Sequence, residues 1–162
     1  MATLSVELKT PITGPYQQPI GLFINGEWVK SVDGKKLEVV NPSTEEVLVS
    51  VYEGTEKDID LAVAAARVAF NTTWKTTTPE QRAILLLKLV ELAEKNKELL
   101  AAVESLDNGK SINNARGDVA AVIGCLRYYA GWADKIEGKT IDIDPGMHHY
   151  TRLEPHYVGP MC

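Results

Sequence analysis

Two cysteines and three histidines are the residues of this sequence best suited to nucleophilic or metal chemistry. Cys125 lies within a run of helical periodicity, away from any helix start or histidine that would activate a thiolate. Cys162 is the last residue, and the adjacent terminal carboxylate disfavours a thiolate there. We therefore interpret Cys125 as a small buried hydrophobic residue, with a catalytic role as the minor alternative.

The histidines, His148, His149 and His156, raise the question of a metal site. Adjacent side chains of a strand point to opposite faces, so His148 and His149 cannot easily share one ion. No cysteine or carboxylate stands at a helpful ligand spacing. We expect no zinc site in this segment.

Other catalytic and cofactor motifs are missing from the sequence. The glycines do not form GxGxxG after a strand or a phosphate-binding loop, and neither GxSxG nor HExxH occurs. The aromatic residues Tyr128, Tyr129 and Trp132 are spaced as a packed helix face. The run Asp107–Lys110 is typical of a helix exit. The residues alone indicate no catalytic constellation.

The composition is that of an ordinary globular protein of one domain: 162 residues, 44% hydrophobic and 24% charged. The formal net charge of −5 argues against a nucleic-acid partner. No apolar run reaches the ~20 residues that a membrane-spanning helix needs, so we expect no membrane partner. The N-terminus lacks a secretory pattern and the cysteines form no disulfide pattern. We expect a cytoplasmic protein.

The first part of the chain predicts short strands. Residues 1–19 show no apolar periodicity and are interpreted as a flexible arm. Residues 22–29 are typical of a strand with a turn signal, Asn25-Gly26, inside it. Residues 36–40 and 46–52 predict two more short strands, and we expect these segments to form one small antiparallel unit.

The middle of the chain predicts helices. Thr55 and Asp58 form a helix-start motif, followed by apolar residues at helical spacing through residue 70. A second start is stronger: Thr78 can cap, Pro79 suits the first helical position, and Gln81 can close the capping box.

The second helix is predicted to continue to Asn108-Gly109, with its apolar stripe interrupted at Asn96. A third helix fits residues 111–136, with Gly138 as its stop. Three amphipathic helices require a partner layer that buries their apolar stripes. The strands present are few and short, so we expect part of the apolar partner to be missing.

The last part of the chain predicts two strands, residues 140–144 and 149–154, around the turn Pro145-Gly146. The strand-like run TRLEP is followed by His156 and then by the end of the sequence at Cys162. We interpret this ending as a truncation within a domain.

Several stretches, in this order and spacing, resemble the N-terminal part of the NAD(P)-dependent aldehyde dehydrogenases. They are FINGEWV (23–29), VVNPSTEEVL (39–48), DIDLAVAAARVAF (58–70), ESLDNGKSI (104–112) and LRYYAGWADKIEGKTI (126–141). The resemblance covers residues 20–155, about the first third of a family member, and ends at His156.

The resemblance implies an α/β fold, namely the N-terminal portion of the aldehyde dehydrogenase fold: short antiparallel strands, and three helices that flank a missing coenzyme-binding sheet. It divides the chain into residues 20–139, the N-terminal part of the coenzyme-binding domain, and residues 140–155, the start of the oligomerisation strands. The flexible arm precedes them, and residues 156–162 form a tail unlike the family.

The family oxidises aldehydes to carboxylic acids with NAD or NADP, using a cysteine nucleophile, an asparagine that helps to hold the oxyanion, and a glutamate that activates water. The resemblance places these groups and the coenzyme site beyond this chain. It thus implies a truncated aldehyde dehydrogenase that is inactive alone and binds no coenzyme well. The alternative is a non-catalytic binding or regulatory partner of full-length subunits, and association with further copies of this chain is also compatible with the resemblance.

The resemblance assigns only a few residues to sites. Family members bind a structural monovalent cation, and by resemblance the Val40 carbonyl and the Asp107 carboxylate are its candidate ligands here, forming a partial site. Gly117 and Ala121 correspond to the mouth of the family's substrate tunnel. No catalytic or coenzyme-binding residue is carried over.

Overall fold

The computed structural model describes residues 4–151 of the chain. In that range the strands are β1 (Ser5–Thr10), β2 (Gly14–Pro19), β3 (Leu22–Ile24), β4 (Glu27–Val29), β5 (Lys36–Val40), β6 (Val47–Tyr52), β7 (Thr140–Asp144) and β8 (Met147–Tyr150). The helices are α1 (Glu56–Ala69), α2 (Pro79–Lys95), α3 (Lys97–Asn108) and α4 (Ile112–Ala130). A π-helical turn, Phe70–Trp74, extends α1.

The first hairpin corrects the prediction of a flexible arm over residues 1–19, because residues 5–10 and 14–19 are strands. Strands β1 and β2 pair antiparallel, with Leu8 opposite Tyr16. Along β1, Val6 and Leu8 are partly covered while Glu7 between them is exposed, the alternation of a strand with one covered face. This hairpin contacts α3, and that tertiary contact supplies the covering that the local sequence does not reveal.

The second hairpin, β3–β4, divides the predicted strand 22–29 into two. Asn25 and Gly26 form its two-residue loop, with φ of 54° and 81°. Two positive φ values identify a type I′ turn, whose twist matches that of the flanking strands. The turn signal in the sequence is confirmed.

The third hairpin, β5–β6, confirms the two strands predicted around the Asn-Pro-Ser-Thr turn. One extra residue on β6 makes a bulge, because Val39 pairs with Val49 and Val40 pairs with Val47. The hairpins form separate two-stranded ladders, which corrects the expectation of one antiparallel unit. A main-chain bond links β6 to the segment between β2 and β3, as the Tyr52 N–H donates to the Ile20 carbonyl at 2.9 Å.

Helix α1 begins where the sequence predicts. The Asp58 carboxylate accepts hydrogen bonds from the Thr55 N–H at 2.8 Å and the Thr55 hydroxyl at 2.7 Å. It also accepts the Val32 N–H at 3.0 Å, so this cap fastens the helix to the chain after β4. The side chain of Asp58 is only 3% exposed.

Helices α2 and α3 correct the prediction of one continuous helix. The capping box of Thr78 and Gln81 is present at the start of α2. The interruption comes at Asn96, where φ is −106° and the side-chain amide donates to the Leu92 carbonyl at 2.8 Å. The Asn96 N–H donates to the same carbonyl at 3.1 Å, so the Leu92 carbonyl accepts two hydrogen bonds where α2 ends.

Helix α4 ends at Ala130, which corrects the predicted extension to residue 136 with a stop at Gly138. The next amides bond three residues back instead of four: Gly131 donates to Tyr128 at 3.1 Å and Trp132 donates to Tyr129 at 3.0 Å. Such tightening is a common way to end a helix. Strands β7 and β8 follow, joined at the predicted Pro145-Gly146 turn, and the predicted residues 152–154 lie outside the described range.

The core lies between α2, α3 and α4. Its buried members are small or β-branched, namely Val90, Ala101, Ala115, Val119 and Ile123. Many large apolar side chains of the same helices remain exposed, including Leu85, Leu89 and Val122. The helices of the described part of the chain therefore share one covered face and leave other apolar side chains exposed. No helix within residues 4–151 has the length and apolarity required to cross a membrane.

Candidate functional site

The end of α3 is fixed by a dense set of hydrogen bonds. Gly109 adopts φ of 75° and donates its N–H to the Ser105 carbonyl at 3.0 Å. The Asn108 side-chain oxygen accepts the Lys110 N–H at 2.9 Å, and the Ser105 hydroxyl donates to the Lys110 carbonyl at 2.7 Å. The predicted left-handed exit at Asn108-Gly109 is confirmed, and the backbone after Asp107 is held in one conformation.

The turn between β5 and β6 is also held by hydrogen bonds. The Asn41 side-chain oxygen accepts the Ser43 N–H at 2.9 Å, and the Asn41 carbonyl accepts the Glu45 N–H at 2.8 Å. Glu45 takes the left-handed conformation with φ of 61°. The Asn-Pro-Ser-Thr cluster is thus an Asx turn that follows directly after Val40.

These two motifs, distant in sequence, lie against each other at Gly109. A Cβ placed on Gly109 would lie 2.9 Å from Pro42 Cγ and 3.6 Å from the Ser43 hydroxyl oxygen. Only glycine permits this approach of the helix end to the turn. The segments that carry the two predicted ligands, Val40 and Asp107, are therefore brought together.

The surroundings of Asp107 include a residue that the sequence did not single out. Tyr16, on β2, is partly buried, and burial raises the pKa of its hydroxyl, with a further rise from the nearby Asp107 carboxylate. Asp107 itself is exposed at the end of α3. Tyr16 was missed because residues 1–19 were interpreted as an arm, and only the pairing of Leu8 with Tyr16 places it here.

The donors present suit a hard monovalent cation. A main-chain carbonyl at Val40 and a carboxylate at Asp107 are oxygen ligands, and the C-terminal end of a helix carries partial negative charge. The Gly109–Pro42 contact holds the two ligand-bearing segments together. Two ligands are fewer than such ions usually take, so these residues would form one side of a site. A bound cation there would supply charge compensation between the turn and the helix.

An ion-pair network lies beside this region. The Lys110 ammonium donates to Glu104 at 2.5 Å and to Asp118 at 2.6 Å, joining the end of α3 to α4. Its hydrogen bonds to Asp118 and Glu104 raise the pKa of Lys110. The lysine thus stays charged and compensates two of the carboxylates near the helix end.

The histidine and cysteine candidates lie elsewhere. The imidazole Nδ1 of His148 lies 2.5 Å from the Asp142 carboxylate across the β7–β8 ladder, and His149 pairs with Ile141. Residues 4–151 contain no group of three or more histidine, cysteine, aspartate or glutamate residues arranged to hold a metal ion. His156 and Cys162 lie outside the described residues.

The prediction that Cys125 is buried is wrong, because this residue is exposed on α4. The buried stripe of α4 runs through Val119 and Ile123, and Cys125 lies about 200° around the helix from Ile123. Gly117 and Ala121, the predicted tunnel-mouth residues, are also exposed and four residues apart, so they share one helix face.

An apolar groove of about 690 Å³ runs between the helices and the hairpins. Its apolar lining includes Leu8 from β1, Val39 from β5, Val49 and Val51 from β6, Leu99 and Val103 from α3, and Val119 and Val122 from α4. Tyr16 and Asp107 lie at the same groove, so the candidate cation region adjoins a large apolar surface.

The described residues do not build a dinucleotide site. Such a site forms at the carboxyl ends of parallel strands, with a glycine-rich turn leading into a helix. The strands within residues 4–151 pair only as antiparallel two-stranded ladders. No step of coenzyme chemistry is assigned to these residues.

Fold and motif arrangement together match one class of oxidoreductase. The sequence model of the family described as "Aldehyde dehydrogenase family" matches residues 28–161. The chain belongs to the aldehyde dehydrogenase family, and its fold is the N-terminal α/β portion of that fold.

Individual relatives agree with this assignment. An aldehyde dehydrogenase of Alternaria alternata is 62% identical over 152 residues, which are 93% of this chain and 31% of that protein. One from Davidiella tassiana is 58% identical over 151 residues, 93% of this chain and 30% of that protein. The NAD⁺ complex of a Bacillus cereus aldehyde dehydrogenase superposes with a TM-score of 0.79 and 48% identity, covering 85% of this chain and 28% of that chain.

This chain therefore spans 30% and 31% of the lengths of these two curated relatives. The described residues correspond to the N-terminal flank of the family fold.

Proposed function

We propose that this chain is the N-terminal flank of an enzyme that oxidises aldehydes to carboxylic acids with NAD or NADP, and that it has no such activity alone. The single observation that carries the proposal is the family match over residues 28–161. The proposed location is the cytoplasm.

The role that we infer for the flank is structural. The apolar groove and the exposed apolar residues of α2 and α4 are the surfaces that a coenzyme-binding sheet would cover. Burying such residues gives ~1.5–3 kcal/mol for each side chain, so the covered assembly would be much more stable than the separate flank.

The same flank would position the cation region. Val40 and Asp107 would hold a monovalent cation through oxygen atoms, together with a ligand from the rest of the family fold. Gly117 and Ala121 would line the entrance for the aldehyde, because glycine has no side chain and alanine only a methyl group, which leaves this exposed face of α4 open.

A complementation experiment tests this function. The chain is produced alone and together with the part of the Alternaria alternata aldehyde dehydrogenase that this chain does not cover. Aldehyde-dependent reduction of NAD⁺ or NADP⁺ is then followed by absorbance. We expect no reduction by the chain alone and reduction by the combined pieces.

The control is Cys125→Ser, which changes an exposed thiol outside the proposed site. Activity of the combined pieces should survive this substitution. Coenzyme reduction by the chain alone that disappears in Cys125→Ser would show that the flank carries its own nucleophile and would overturn the proposal.

A second function is favoured by one observation, the exposed hairpin β7–β8. Its residues are all exposed, and Ile141 and Ile143 are each 46% exposed. An exposed strand edge with apolar side chains readily pairs with another chain. The alternative role is therefore a non-catalytic partner that binds full-length aldehyde dehydrogenase subunits or further copies of this chain.

Co-purification separates the two functions. A tagged chain is expressed with the full-length Alternaria alternata enzyme, in parallel with the variant Ile141→Asp/Ile143→Asp. Retention of the enzyme by the original chain, with loss in the variant, would support the binding role. Equal recovery with both chains would exclude the hairpin as the contact.

A further inference from the structure

Asparagine precedes glycine at two places in this chain, Asn25-Gly26 and Asn108-Gly109, and the structure holds the two pairs in opposite ways. Glycine has no side chain to shield its main-chain nitrogen. That nitrogen can therefore approach the preceding asparagine side chain and react with it, provided that the backbone is free to rotate.

The first pair is held only by the short hairpin that it closes, through the pairing of Ile24 with Glu27. Asn25 and Gly26 are exposed at the tip of the β3–β4 hairpin, whose strands are three residues long. A Cβ added to Gly26 would meet no atom within 4 Å. Within the described range, neither the Asn25 side chain nor the Gly26 N–H makes a hydrogen bond to the protein.

Three contacts restrain the second pair, Asn108-Gly109. The Gly109 N–H donates to the Ser105 carbonyl at 3.0 Å, which occupies the nitrogen that would react. The Asn108 side-chain oxygen accepts the Lys110 N–H at 2.9 Å, which fixes the group that would be attacked. Pro42 packs on Gly109 and opposes rotation of that peptide.

We propose that Asn25 is a site of spontaneous deamidation, with water as the co-reactant, and that the α3 cap protects Asn108 from the same reaction. The Gly26 nitrogen gives up its proton to hydroxide and forms a bond to the Asn25 side-chain carbonyl carbon. The carbon–nitrogen bond of the side-chain amide then breaks, and ammonia leaves with the proton. The product is a five-membered cyclic imide.

Water then opens the ring at either of its two carbonyl carbons. One opening yields aspartate, and the other yields isoaspartate, in which the main chain passes through the former side chain. The net change is the gain of water and the loss of ammonia. Each product carries a new carboxylate, which is negatively charged at neutral pH.

This modification would weaken the β3–β4 hairpin. The type I′ turn requires both loop residues at positive φ, and an isoaspartate adds a methylene to the main chain at the first of them. The new charge also lies close to Glu27 in sequence. The Phe23–Trp28 ring contact, at 5.1 Å between centroids, depends on this hairpin register.

The test compares both pairs in the folded and the denatured chain. The full chain is incubated in buffer and in concentrated urea at mildly alkaline pH. Conversion at each asparagine is measured by peptide mass spectrometry, and isoaspartate is labelled with a protein isoaspartate methyltransferase. The denatured rates correct for local sequence, so the folded-to-denatured rate ratio reports the structure alone.

We expect the folded-to-denatured ratio to be roughly tenfold lower at Asn108 than at Asn25, the factor given by about 1.4 kcal/mol of extra opening free energy. The variant Asn25→Gln should remove the isoaspartate signal of the hairpin, and Pro42→Ala should raise conversion at Asn108. Equal ratios at both pairs, a higher ratio at Asn108, or conversion of neither pair in buffer would each overturn the proposal.

Discussion

The helical layer and the last hairpin use similar apolar residues with opposite results. In α2, α3 and α4 the apolar stripes meet, so that Val90 is 3% exposed and Ala101 is 0% exposed. In β7–β8 every residue is exposed, including Ile141 and Tyr150, the latter at 78%. The two strands of the hairpin pair with each other, but they bury none of their side chains.

The difference shows how far each region depends on another surface to cover its apolar side chains. A two-stranded hairpin alone is at best marginally stable in water, because its ladder does not remove apolar surface. The helical layer buries one face by itself and leaves another face open. The layer can therefore keep local structure in isolation, while the hairpin depends on whatever covers it.

The largest expected effect separates the two regions directly. Ile123→Ala removes a side chain from the helical core, where it is 8% exposed, and should lower the free energy of unfolding by about 2–4 kcal/mol. Ile141→Ala removes the same atoms from an exposed site and should change it by less than about 0.5 kcal/mol. Urea unfolding followed by far-ultraviolet circular dichroism measures both.

Val122→Ala is the control on the same helix, since Val122 adjoins Ile123 but is 55% exposed. It should behave like Ile141→Ala. A small effect for Ile123→Ala would mean that the helices of the isolated chain do not pack as a core, and the comparison would then fail on the helical side.

The next effect compares two glycines in the same backbone conformation. Gly109 has φ of 75° and Gly146 has φ of 84°, so alanine costs about 1–2 kcal/mol of left-handed strain at either place. A Cβ at Gly109 also meets Pro42 Cγ at 2.9 Å, whereas one at Gly146 meets nothing within 4 Å. Gly109→Ala should therefore be the more damaging substitution.

Thermal melts of Gly109→Ala and Gly146→Ala, together with Pro42→Ala/Gly109→Ala, resolve the two contributions. In the double variant, removing the Pro42 ring atoms should restore the part of the lost stability that comes from the clash with Pro42. The part that comes from backbone strain at residue 109 should remain lost. Equal losses in the two single variants, with no recovery in the double variant, would mean that the turn does not press on the helix end.

Local chemistry made part of this fold predictable. The caps at Thr55 and Thr78 and the turns at Asn25-Gly26 and Pro145-Gly146 are decided by a few adjacent residues, and the structure confirms them. The family match confirms the fold class that the resemblance implied.

Features that depend on distant partners were not predictable. The β1–β2 hairpin needs α3 as its cover. At the end of α2 the Asn96 side-chain amide donates to the Leu92 carbonyl, a contact that the spacing of apolar residues does not reveal. The candidate site has the same character: Val40 and Asp107 came from resemblance, and the Pro42–Gly109 contact that joins their segments leaves no local signal in the sequence.

The stability of the folded chain should depend on pH through the buried carboxylate of Asp58. Hydrogen bonds from the Thr55 hydroxyl and N–H, with a further one from the Val32 N–H, hold its pKa below the ordinary value of 3.8. The carboxylate therefore adds stability that is complete above pH 3.8 and is lost as the pH falls through the lower folded-state pKa.

Asp58→Asn should reduce the stability at neutral pH and flatten its decline in acid, as measured by urea midpoints across the acidic range. The control is Asp60→Asn, an exposed carboxylate on the same helix. An unchanged acid profile in Asp58→Asn would show that the cap does not fasten α1 to the segment after β4.

The smallest expected effect lies in the hairpin, at the pair formed by Asp142 and His148. The two side chains lie 2.5 Å apart across the ladder, but Asp142 is 83% exposed and His148 is 46% exposed. Water and salt screen such a pair, and holding both side chains in one geometry costs entropy, so it contributes only ~0–1 kcal/mol.

A double-mutant cycle with Asp142→Asn and His148→Gln, read by amide hydrogen exchange in β7 and β8, measures the coupling. We expect a coupling below about 1 kcal/mol that decreases further in high salt. A larger, salt-insensitive coupling would mean that the hairpin is held by its own side chains, and its dependence on an external cover would then have to be abandoned.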